Sequence, residues 1–335
     1  MGNLKIKRLY SLLFLLFLTI FILFFVNFVN NEIDLIYLTV ASSQFLIQKE
    51  KPITLIFVGD IMLNRGVQYM VEKYGKGDFK FPFLKIAEEL QKADILFGNL
   101  ESIISNKGKK VGSIYSFRAE PKAIEGLKFA GFNILSVANN HIFDYGREAM
   151  EDSFLRLRKS EIDYVGGGFN EIEAYAPVIK EMRGVKIAFL AYTNLGSEYW
   201  SAKGNRSGIA WLTEEKLKEE VKKVKEMADL VIVSFHLGDE YQKKASSKQK
   251  YFAHLAIDSG ANLVISHHPH LIQEVEKYKE KYIAYSLGNF AFDQSFSEET
   301  RKGLMLKVLV KNAKIDEVIP IEIKINGYFQ PEIIK

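Results

Sequence analysis

Short apolar runs alternate with segments of helical spacing from residue 52 onward. Between the runs, apolar residues recur every three or four positions, as at Leu217, Val221, Val224 and Met227 after Thr213. This alternation predicts right-handed βαβ units, a mostly parallel sheet and an α/β fold class. The closing stretch 303–325 instead predicts antiparallel strands. The predicted strands are 53–58, 94–98, 132–137, 185–192, 229–235, 262–266, 281–287 and 303–310.

A longer apolar segment comes first in the chain, because residues 9–31 include no charged side chain and are dominated by Leu, Phe and Ile. As an α-helix, these 23 residues span about 34 Å, which is enough to cross a bilayer. Lys5, Lys7 and Arg8 precede the segment and acidic residues follow it. The positive-inside rule therefore places the amino terminus in the cytoplasm and the rest of the chain outside.

Two other interpretations of the apolar segment fit less well. A cleaved signal peptide normally has an apolar region of roughly 7 to 15 residues, and its cleavage site, at 40–43, lies far from the apolar run. A buried core helix is normally amphipathic, whereas this segment is apolar on all sides. We therefore predict a single-pass cell-membrane protein with an uncleaved transmembrane helix and an extracytoplasmic carboxyl-terminal domain. The predicted divisions are a cytoplasmic terminus at 1–8, the transmembrane anchor at 9–31, a linker at 32–51 and the globular domain at 52–335.

The amino-acid composition limits the class of protein, the ligands that a metal site can use and the partners that the chain can bind. The 335 residues are 48% hydrophobic and 26% charged with no Cys, which excludes disordered, collagen-like and disulfide-rich classes. Without cysteine, any metal site must use His, Asp, Glu and Asn. Three of the cations lie within the first eight residues. Without them, the chain has 42 basic and 41 acidic residues, a net charge of +1 instead of +4. This balance offers no basic face for nucleic acid, and we expect no such partner.

Polar residues of metal-binding types follow the ends of the predicted strands. Because ligands bind at the carboxyl ends of the strands in open α/β sheets, we expect one crevice to collect these side chains. Oxygen and imidazole donors without thiolates suit Mn, Zn, Fe or Mg, and this many donors is enough for one or two divalent ions. The residues are Asp60, Asn99, Glu101, Asn139, Asn140, His141, Asp144, His236, His267, His268 and His270.

Taken alone, most of these residues have an ordinary structural explanation that needs no metal. A Gly-Asp pair after a strand is often a turn, Asn140 can cap a helix, and a buried His236 is often a hydrogen-bonded core residue. The segment His267-His268-Pro269-His270 is the sharpest signal. Three imidazoles beside a rigid proline after a buried strand are costly unless they bind something, so we predict metal binding there.

Six motifs follow one another in order over roughly residues 53–295. They are Gly59-Asp60-Ile61-Met62-Leu63, Gly98-Asn99-Leu100-Glu101, Ala138-Asn139-Asn140-His141 with Asp144-Tyr145-Gly146, His236 with Glu240-Tyr241, His268-Pro269-His270, and Ser286-Leu287-Gly288-Asn289-Phe290 with Phe292-Asp293. This ordered series resembles the CapA family of poly-γ-glutamate capsule biosynthesis proteins, a branch of the calcineurin-like metallophosphoesterase superfamily. The resemblance implies a four-layer α/β/β/α metallophosphoesterase-like sandwich with a metal centre at the strand ends, anchored in the membrane and facing outward.

The resemblance also implies a role for individual residues. It makes Glu101 the bridge between two ions, in place of the usual Asp. The implied proton donor to the leaving oxygen is His141, and the carboxylate that orients its imidazole is Asp144. The implied ligands are Asp60 and His270 for the first ion, and Asn140, His236 and His268 for the second.

One departure from the family pattern concerns the number of ions. The usual first motif is Asp-x-His, but Met62 stands where its histidine is expected. The first ion therefore loses one imidazole, which favours one tightly bound ion. If both ions bind, the weaker ion would have His267, Asn99 or water in place of the missing imidazole.

Two functions remain open at this point. The resemblance favours a component of capsule or poly-γ-glutamate synthesis or export, with the membrane, capsule-synthase subunits and an anionic polymer as partners. In that role the cleft is either hydrolytic or a non-catalytic polymer holder. The alternative is a stand-alone metal-dependent hydrolase acting on a phosphoester substrate at the cell surface. Arg65 and Arg118 are the predicted clamp for an anionic substrate, because a guanidinium binds phosphate or carboxylate bidentately. Solvated surface arginines are the alternative for both.

Overall fold

The computed structural model describes residues 14–30, 32–33, 37, 51–111 and 114–334. The chain divides into two units, Met1–Lys51 and Pro52–Lys335. The candidate site lies in the second unit.

In the first unit, residues 14–30 are helical. Within the described residues, no helix combines the length and the apolar character needed to cross a bilayer. Residues 9–13 and 31 of the predicted anchor lie outside the described part of the chain, as do residues 1–8 and most of the linker. The transmembrane anchor therefore stays a prediction.

The second unit alternates strands and helices along most of its length. Its helices, in chain order, are α1 (Arg65–Lys73), α2 (Ala87–Leu90), α3 (Ala123–Ala130), α4 (Gly146–Lys159), α5 (Glu171–Tyr175), α6 (Glu214–Lys225) and α7 (Ser247–Ser259), with short 3-10 turns at Phe81–Phe83 and Glu198–Trp200. Its strands are β1 (Ile53–Ile61), β2 (Ile95–Leu100), β3 (Ile103–Ile104), β4 (Arg118–Ala119), β5 (Ile134–Ser136), β6 (Asp163–Val165), β7 (Gly167–Gly168), β8 (Val178–Met182), β9 (Val185–Thr193), β10 (Gly208–Ile209), β11 (Leu230–His236), β12 (Leu263–His267), β13 (Val275–Tyr278), β14 (Lys281–Ala284), β15 (Asn289–Ala291), β16 (Lys302–Lys311), β17 (Lys314–Ile325) and β18 (Pro331–Ile333).

Most of the strands form two mixed sheets. The larger has the order β18-β17-β16-β1-β2-β5-β6, and β15 also pairs with β1. Strands β1, β2, β5 and β6 are parallel, whereas β16, β17 and β18 add antiparallel pairs. The smaller sheet has the order β13-β14-β12-β11-β9-β8, with parallel central strands and antiparallel edges. The predicted α/β class and the predicted antiparallel strands near the end of the chain are confirmed. The alternation predicted a mostly parallel sheet, whereas the strands form two mixed sheets, in line with the two β layers that the resemblance implies.

One apolar cluster lies between the two sheets. It combines alternate residues of β1, such as Leu55 and Phe57, with residues of β9 and β11, such as Phe189 and Ile232. The rings of Phe97 and Phe189 stack there with centroids 5.8 Å apart. Each such buried side chain contributes about 1.5–3 kcal/mol. This shared core fixes the two sheets against each other, and with them the strand ends that form the site.

The outer faces of the sheets are covered by helices. The opposite face of β1, including Ile56 and Val58, packs in a cluster with residues of α1, α3 and α4. Residues Val231 and Val233 of β11 pack in another cluster with α6 and α7. Consecutive strand residues thus face different clusters, which explains why the central strands are apolar on both faces.

Helix α6 begins where the sequence predicts. The Thr213 side chain accepts a hydrogen bond from the Lys216 backbone N–H at 3.2 Å and caps the first turn. Leu217, Val221 and Val224 are buried on the side that packs on the smaller sheet. The predicted helical spacing is confirmed for these three residues, but not for Met227, which lies beyond the end of α6 and is 49% exposed.

Candidate metal centre

The carboxyl ends of β1, β2 and β5 in the larger sheet and of β11 and β12 in the smaller sheet meet at one place. This is where parallel α/β sheets bind their ligands. The meeting point brings together all of the predicted metal ligands: Asp60, Glu101, Asn140, His236, His268 and His270.

Glu101 lies at the centre of this group and its side chain is fully buried. Within the described residues, neither of its carboxylate oxygens has a hydrogen-bond partner. Burial, followed by the nearby Asp60 carboxylate, raises the pKa of Glu101 well above its ordinary value. Its Oε1 lies 3.7 Å from His141 Nε2 and from His236 Nε2, and 3.8 Å from His270 Nε2. A buried carboxylate without partners costs stability, and a cation among these donors removes that cost. The residues therefore fit a divalent metal.

Asp60 is also fully buried, but its carboxylate is held in place by hydrogen bonds. Oδ1 accepts from Asn99 Nδ2 at 2.8 Å, and Oδ2 accepts from the His268 backbone N–H at 3.2 Å. Burial by itself raises the pKa of Asp60, but the hydrogen bond with His270 and the neighbouring imidazoles bring that pKa below its ordinary value. The ionised form, which is the metal-binding form, is thus favoured.

Gly59 is required for the position of Asp60. The backbone there passes so close to β15 that a Cβ on Gly59 would lie 2.0 Å from the Gly288 carbonyl oxygen. The Asp60 N–H donates to that same oxygen at 3.0 Å. The absence of a side chain therefore allows the two backbones to meet and fixes the strand end that carries Asp60.

His236, Asn140 and His268 form a second set of adjacent donors. His236 Nε2 lies 2.8 Å from Asn140 Oδ1 and 3.2 Å from His268 Nδ1. Burial, with the neighbouring imidazoles, lowers the pKa of His236 well below its ordinary value and that of His268 to about 3. Both rings are therefore neutral at physiological pH, which is the form that ligates metals.

The turn around Pro269 has an unusual backbone. His268 has φ 100° and His270 has φ 56°, both in the left-handed region that residues with a Cβ rarely adopt. Such conformations cost about 1–3 kcal/mol each and cluster at functional sites. In return, the turn presents both imidazoles to the centre. His270 is held further by Asn289, whose Oδ1 lies 2.9 Å from His270 Nδ1.

The donor atoms form overlapping groups in which all donors lie within 4.8 Å of one another. One group is Glu101, His236 and His268, and another is Asp60, Glu101 and His270. Glu101 belongs to both groups, as expected of a bridging carboxylate between two ions. A third group consists of Glu240, His268 and His270. Glu240 lies in the motif with His236 but was not predicted as a ligand.

His141 and Asp144 lie beside this centre. His141 Nδ1 lies 2.8 Å from Asp144 Oδ2, and the same oxygen accepts from the Phe117 backbone N–H at 2.7 Å. The imidazole stacks on the Phe117 ring with centroids 3.9 Å apart. The ring is thus fixed on two sides while Nε2 faces Glu101. The geometry fits a proton carrier oriented by a carboxylate.

The two predicted substrate clamps have protein partners. Arg65 forms an ion pair with Asp293 and lies over the Phe117 ring, with its guanidinium carbon 4.7 Å from the centroid. Arg118 donates to the Lys107 carbonyl at 2.9 Å. Arg65 therefore contacts the ring that supports His141, whereas Arg118 contacts two backbone carbonyls and an aromatic ring outside the donor groups. Substrate binding by either arginine stays a prediction.

The two residues expected to fill in for the missing imidazole have other contacts. His267 Nε2 lies 3.2 Å from the Val58 carbonyl oxygen and its Nδ1 lies 3.3 Å from that of Phe235. Asn99 donates to Asp60 and accepts from Asn139 at 3.2 Å. These side chains tie the strands together, and His267 belongs to no donor group in the described residues.

Comparison with known proteins agrees with this arrangement of motifs. Residues 54–294 match the family model described as bacterial capsule synthesis protein PGA_cap. The chain belongs to this family. The PGA_cap match covers every candidate ligand, and the resemblance to CapA proteins is confirmed.

Two relatives in the family match most of this chain. The capsule biosynthesis protein CapA of Bacillus anthracis is 32% identical over 286 residues, covering 83% of this chain and 69% of the relative. The PGA biosynthesis protein CapA of Bacillus subtilis (strain 168) is 31% identical over 271 residues, covering 80% and 70%. Among solved structures, a novel phosphatase from Mycoplasma pneumoniae is similar with TM-score 0.49 at 17% identity, covering 82% of this chain and 94% of that one.

Proposed function

We propose that the chain serves the synthesis or export of an anionic capsule polymer of the poly-γ-glutamate type, and that its cleft performs metal-dependent hydrolysis in that process. Family membership supports the first part. The observation that carries the second is the buried Glu101 carboxylate, which has no hydrogen-bond partner among the described residues and faces three imidazole nitrogens. The helices on the outer faces of two packed sheets support the four-layer α/β/β/α sandwich of metallophosphoesterases.

The proposed centre holds one or two divalent ions, with Mn, Zn, Fe and Mg all suited to its donors. Bound metal supplies Lewis acidity that draws charge from a phosphoryl or acyl centre. The proposed ligands are Asp60, Glu101 and His270 for one ion, and Glu101, Asn140, His236 and His268 for the other.

The chain's own residues would handle the proton. In hydrolysis a water oxygen bonds to the electrophilic centre and gives up one proton to solvent, the bond to the leaving oxygen breaks, and that oxygen takes a proton. His141 Nε2 faces the centre and would donate this proton, while Asp144 Oδ2 holds Nδ1 and stabilises the imidazolium. The Phe117 ring limits rotation of the imidazole.

Complementation in the native host tests both parts of the proposal. Deletion of the gene is expected to remove surface polymer, and the wild-type chain is expected to restore it. Glu101→Gln keeps the shape of the side chain but removes its charge, so we expect no restoration at equal protein level. Full restoration by Glu101→Gln would contradict the metal-dependent step, and unchanged polymer in the deletion strain would contradict the capsule role.

We also propose that residues 9–31 anchor the chain and that the domain from residue 52 faces outward. Protease added to intact cells is then expected to digest the domain and to spare an epitope tag at Met1, because the tag is cytoplasmic. Opened cells serve as the control, in which the tag is also lost. Protection of the whole chain in intact cells would refute the orientation. A mature chain that starts after Ala41 would show that the apolar segment is a cleaved signal peptide.

A further inference from the structure

Glu240 is the exposed member of the third donor group. It lies in the loop after β11, four residues beyond His236. Its carboxylate lies among the His268 and His270 nitrogens, with all three donors within 4.8 Å of one another.

The loop is held against the turn that carries these imidazoles. The Tyr241 backbone N–H donates to the Pro269 carbonyl at 2.9 Å, and Tyr241 has φ 61°. The Tyr241 hydroxyl accepts from Gln294 Nε2 at 3.2 Å, and Gln294 accepts in turn from Asn289, whose Oδ1 contacts His270. Tyr241 is therefore attached to the turn by its backbone and by its side chain. These contacts keep the carboxylate of the neighbouring Glu240 at the solvent-exposed edge of the centre.

The charges at the centre favour a cation near Glu240. Asp60 and Glu101 are buried carboxylates beside His270, and Glu240 brings a third carboxylate near the same imidazole. Like charges this close repel one another unless a cation lies between them. The ion held by Asp60 and His270 is also the one that receives no imidazole from position 62, since Met62 stands there.

We propose that Glu240 is a metal ligand on the solvent side of the centre, where with His270 it completes the shell of the ion that lacks the usual imidazole. This inference rests on the metal centre of the proposed function. It assigns the missing donor to a loop carboxylate in place of His267 or Asn99. An oxygen ligand at this position suits a mixed carboxylate and imidazole shell, as Mn²⁺ accepts.

Binding of Mn²⁺ to the full-length chain in mild detergent, after chelation and dialysis, tests the assignment. Isothermal titration and the electron paramagnetic resonance of free Mn²⁺ give the number of ions and their affinities. Glu240→Gln is expected to weaken the weaker ion about tenfold or more and to leave the tighter ion within about twofold. The matched control is Asp239→Asn, because Asp239 is the adjacent exposed carboxylate and belongs to no donor group in the described residues. It is expected to bind as the wild type does.

Glu240→Asp separates ligation from a general charge effect, since it keeps the charge and shortens the arm by one carbon. We expect it to lose affinity as Glu240→Gln does. Wild-type affinity in Glu240→Asp would overturn direct ligation, and so would wild-type isotherms in Glu240→Gln while the wild type binds Mn²⁺. Failure of the wild type to bind any Mn²⁺ would overturn this inference together with the proposed metal centre.

Discussion

Replacing His268 with Ala is expected to remove the tightly bound divalent ion from the chain. His268 Nδ1 lies 3.2 Å from His236 Nε2, and His268 belongs to two of the donor groups. Ala at this position keeps the backbone N–H that donates to Asp60, so the carboxylate stays in place while one donor is lost. With few inner ligands, that loss is expected to lower the affinity about a hundredfold or more.

Metal content per chain, measured by plasma mass spectrometry after purification without chelators, checks this result. His254→Ala is the matched control, because His254 pairs with Glu276 at 3.0 Å and stacks on Tyr278 away from the donor groups. It is expected to keep its ion. Retention of wild-type metal by His268→Ala would contradict the ligand assignment, and a metal-free wild type would contradict the centre as a whole.

The number of ions in the wild type follows from the same donors. We expect closer to one ion than two per chain after dialysis, with the weaker ion restored by added Mn²⁺. Two ions that both survive dialysis would show that the shell of the first ion is complete and tight without an imidazole at position 62.

The strands that form the site could be predicted because they are short, apolar and followed at once by polar residues. The predicted run 229–235 became β11 at Leu230–His236, and 262–266 became β12 at Leu263–His267. Both strands are buried on both faces, so their composition marks them. By contrast, β8 at Val178–Met182 is a partly exposed edge strand with mixed polarity, and no apolar run indicates it.

The division into two sheets could not be read from the chain in this way. Alternation of strands and helices shows that crossovers exist, but it does not show which strands are neighbours. Strand β15 is an example, because it pairs with β1 although more than 200 residues separate Asp60 from Asn289. That pairing depends on the close approach at Gly59, which is a tertiary contact.

Some residues of the candidate site could be predicted from local sequence, and others depend on tertiary contacts. Asp60, His236 and His268 could be predicted because each lies at or just after a strand end. Glu240 was missed because its approach depends on the contact between Tyr241 and Pro269, two loops far apart in sequence. The ion pair of Arg65 with Asp293 is similarly long-range, so no local pattern indicates that Arg65 has a protein partner.

Replacing His141 with Ala is expected to separate catalysis from metal binding. His141 belongs to no donor group among the described residues, so its loss removes no metal ligand and should leave metal content near that of the wild type. Its Nε2 nonetheless lies 3.7 Å from Glu101 Oε1, at the edge of the place where a substrate would react. Loss of a positioned proton donor lowers turnover by about 10²–10⁴-fold.

Turnover of a generic phosphodiester, bis(p-nitrophenyl) phosphate, by the Mn²⁺-loaded full-length chain measures this effect beside metal content. Removal of the imidazole leaves space next to the Phe117 ring, so free imidazole in the buffer is expected to restore part of the rate in His141→Ala. The same addition should not help His268→Ala, which lacks the ion. Loss of metal in His141→Ala would make His141 a ligand and not a proton donor. Unchanged turnover by His141→Ala with its metal retained would show that His141 takes no part in the reaction. A wild type without turnover would contradict hydrolysis and favour a cleft that only binds polymer.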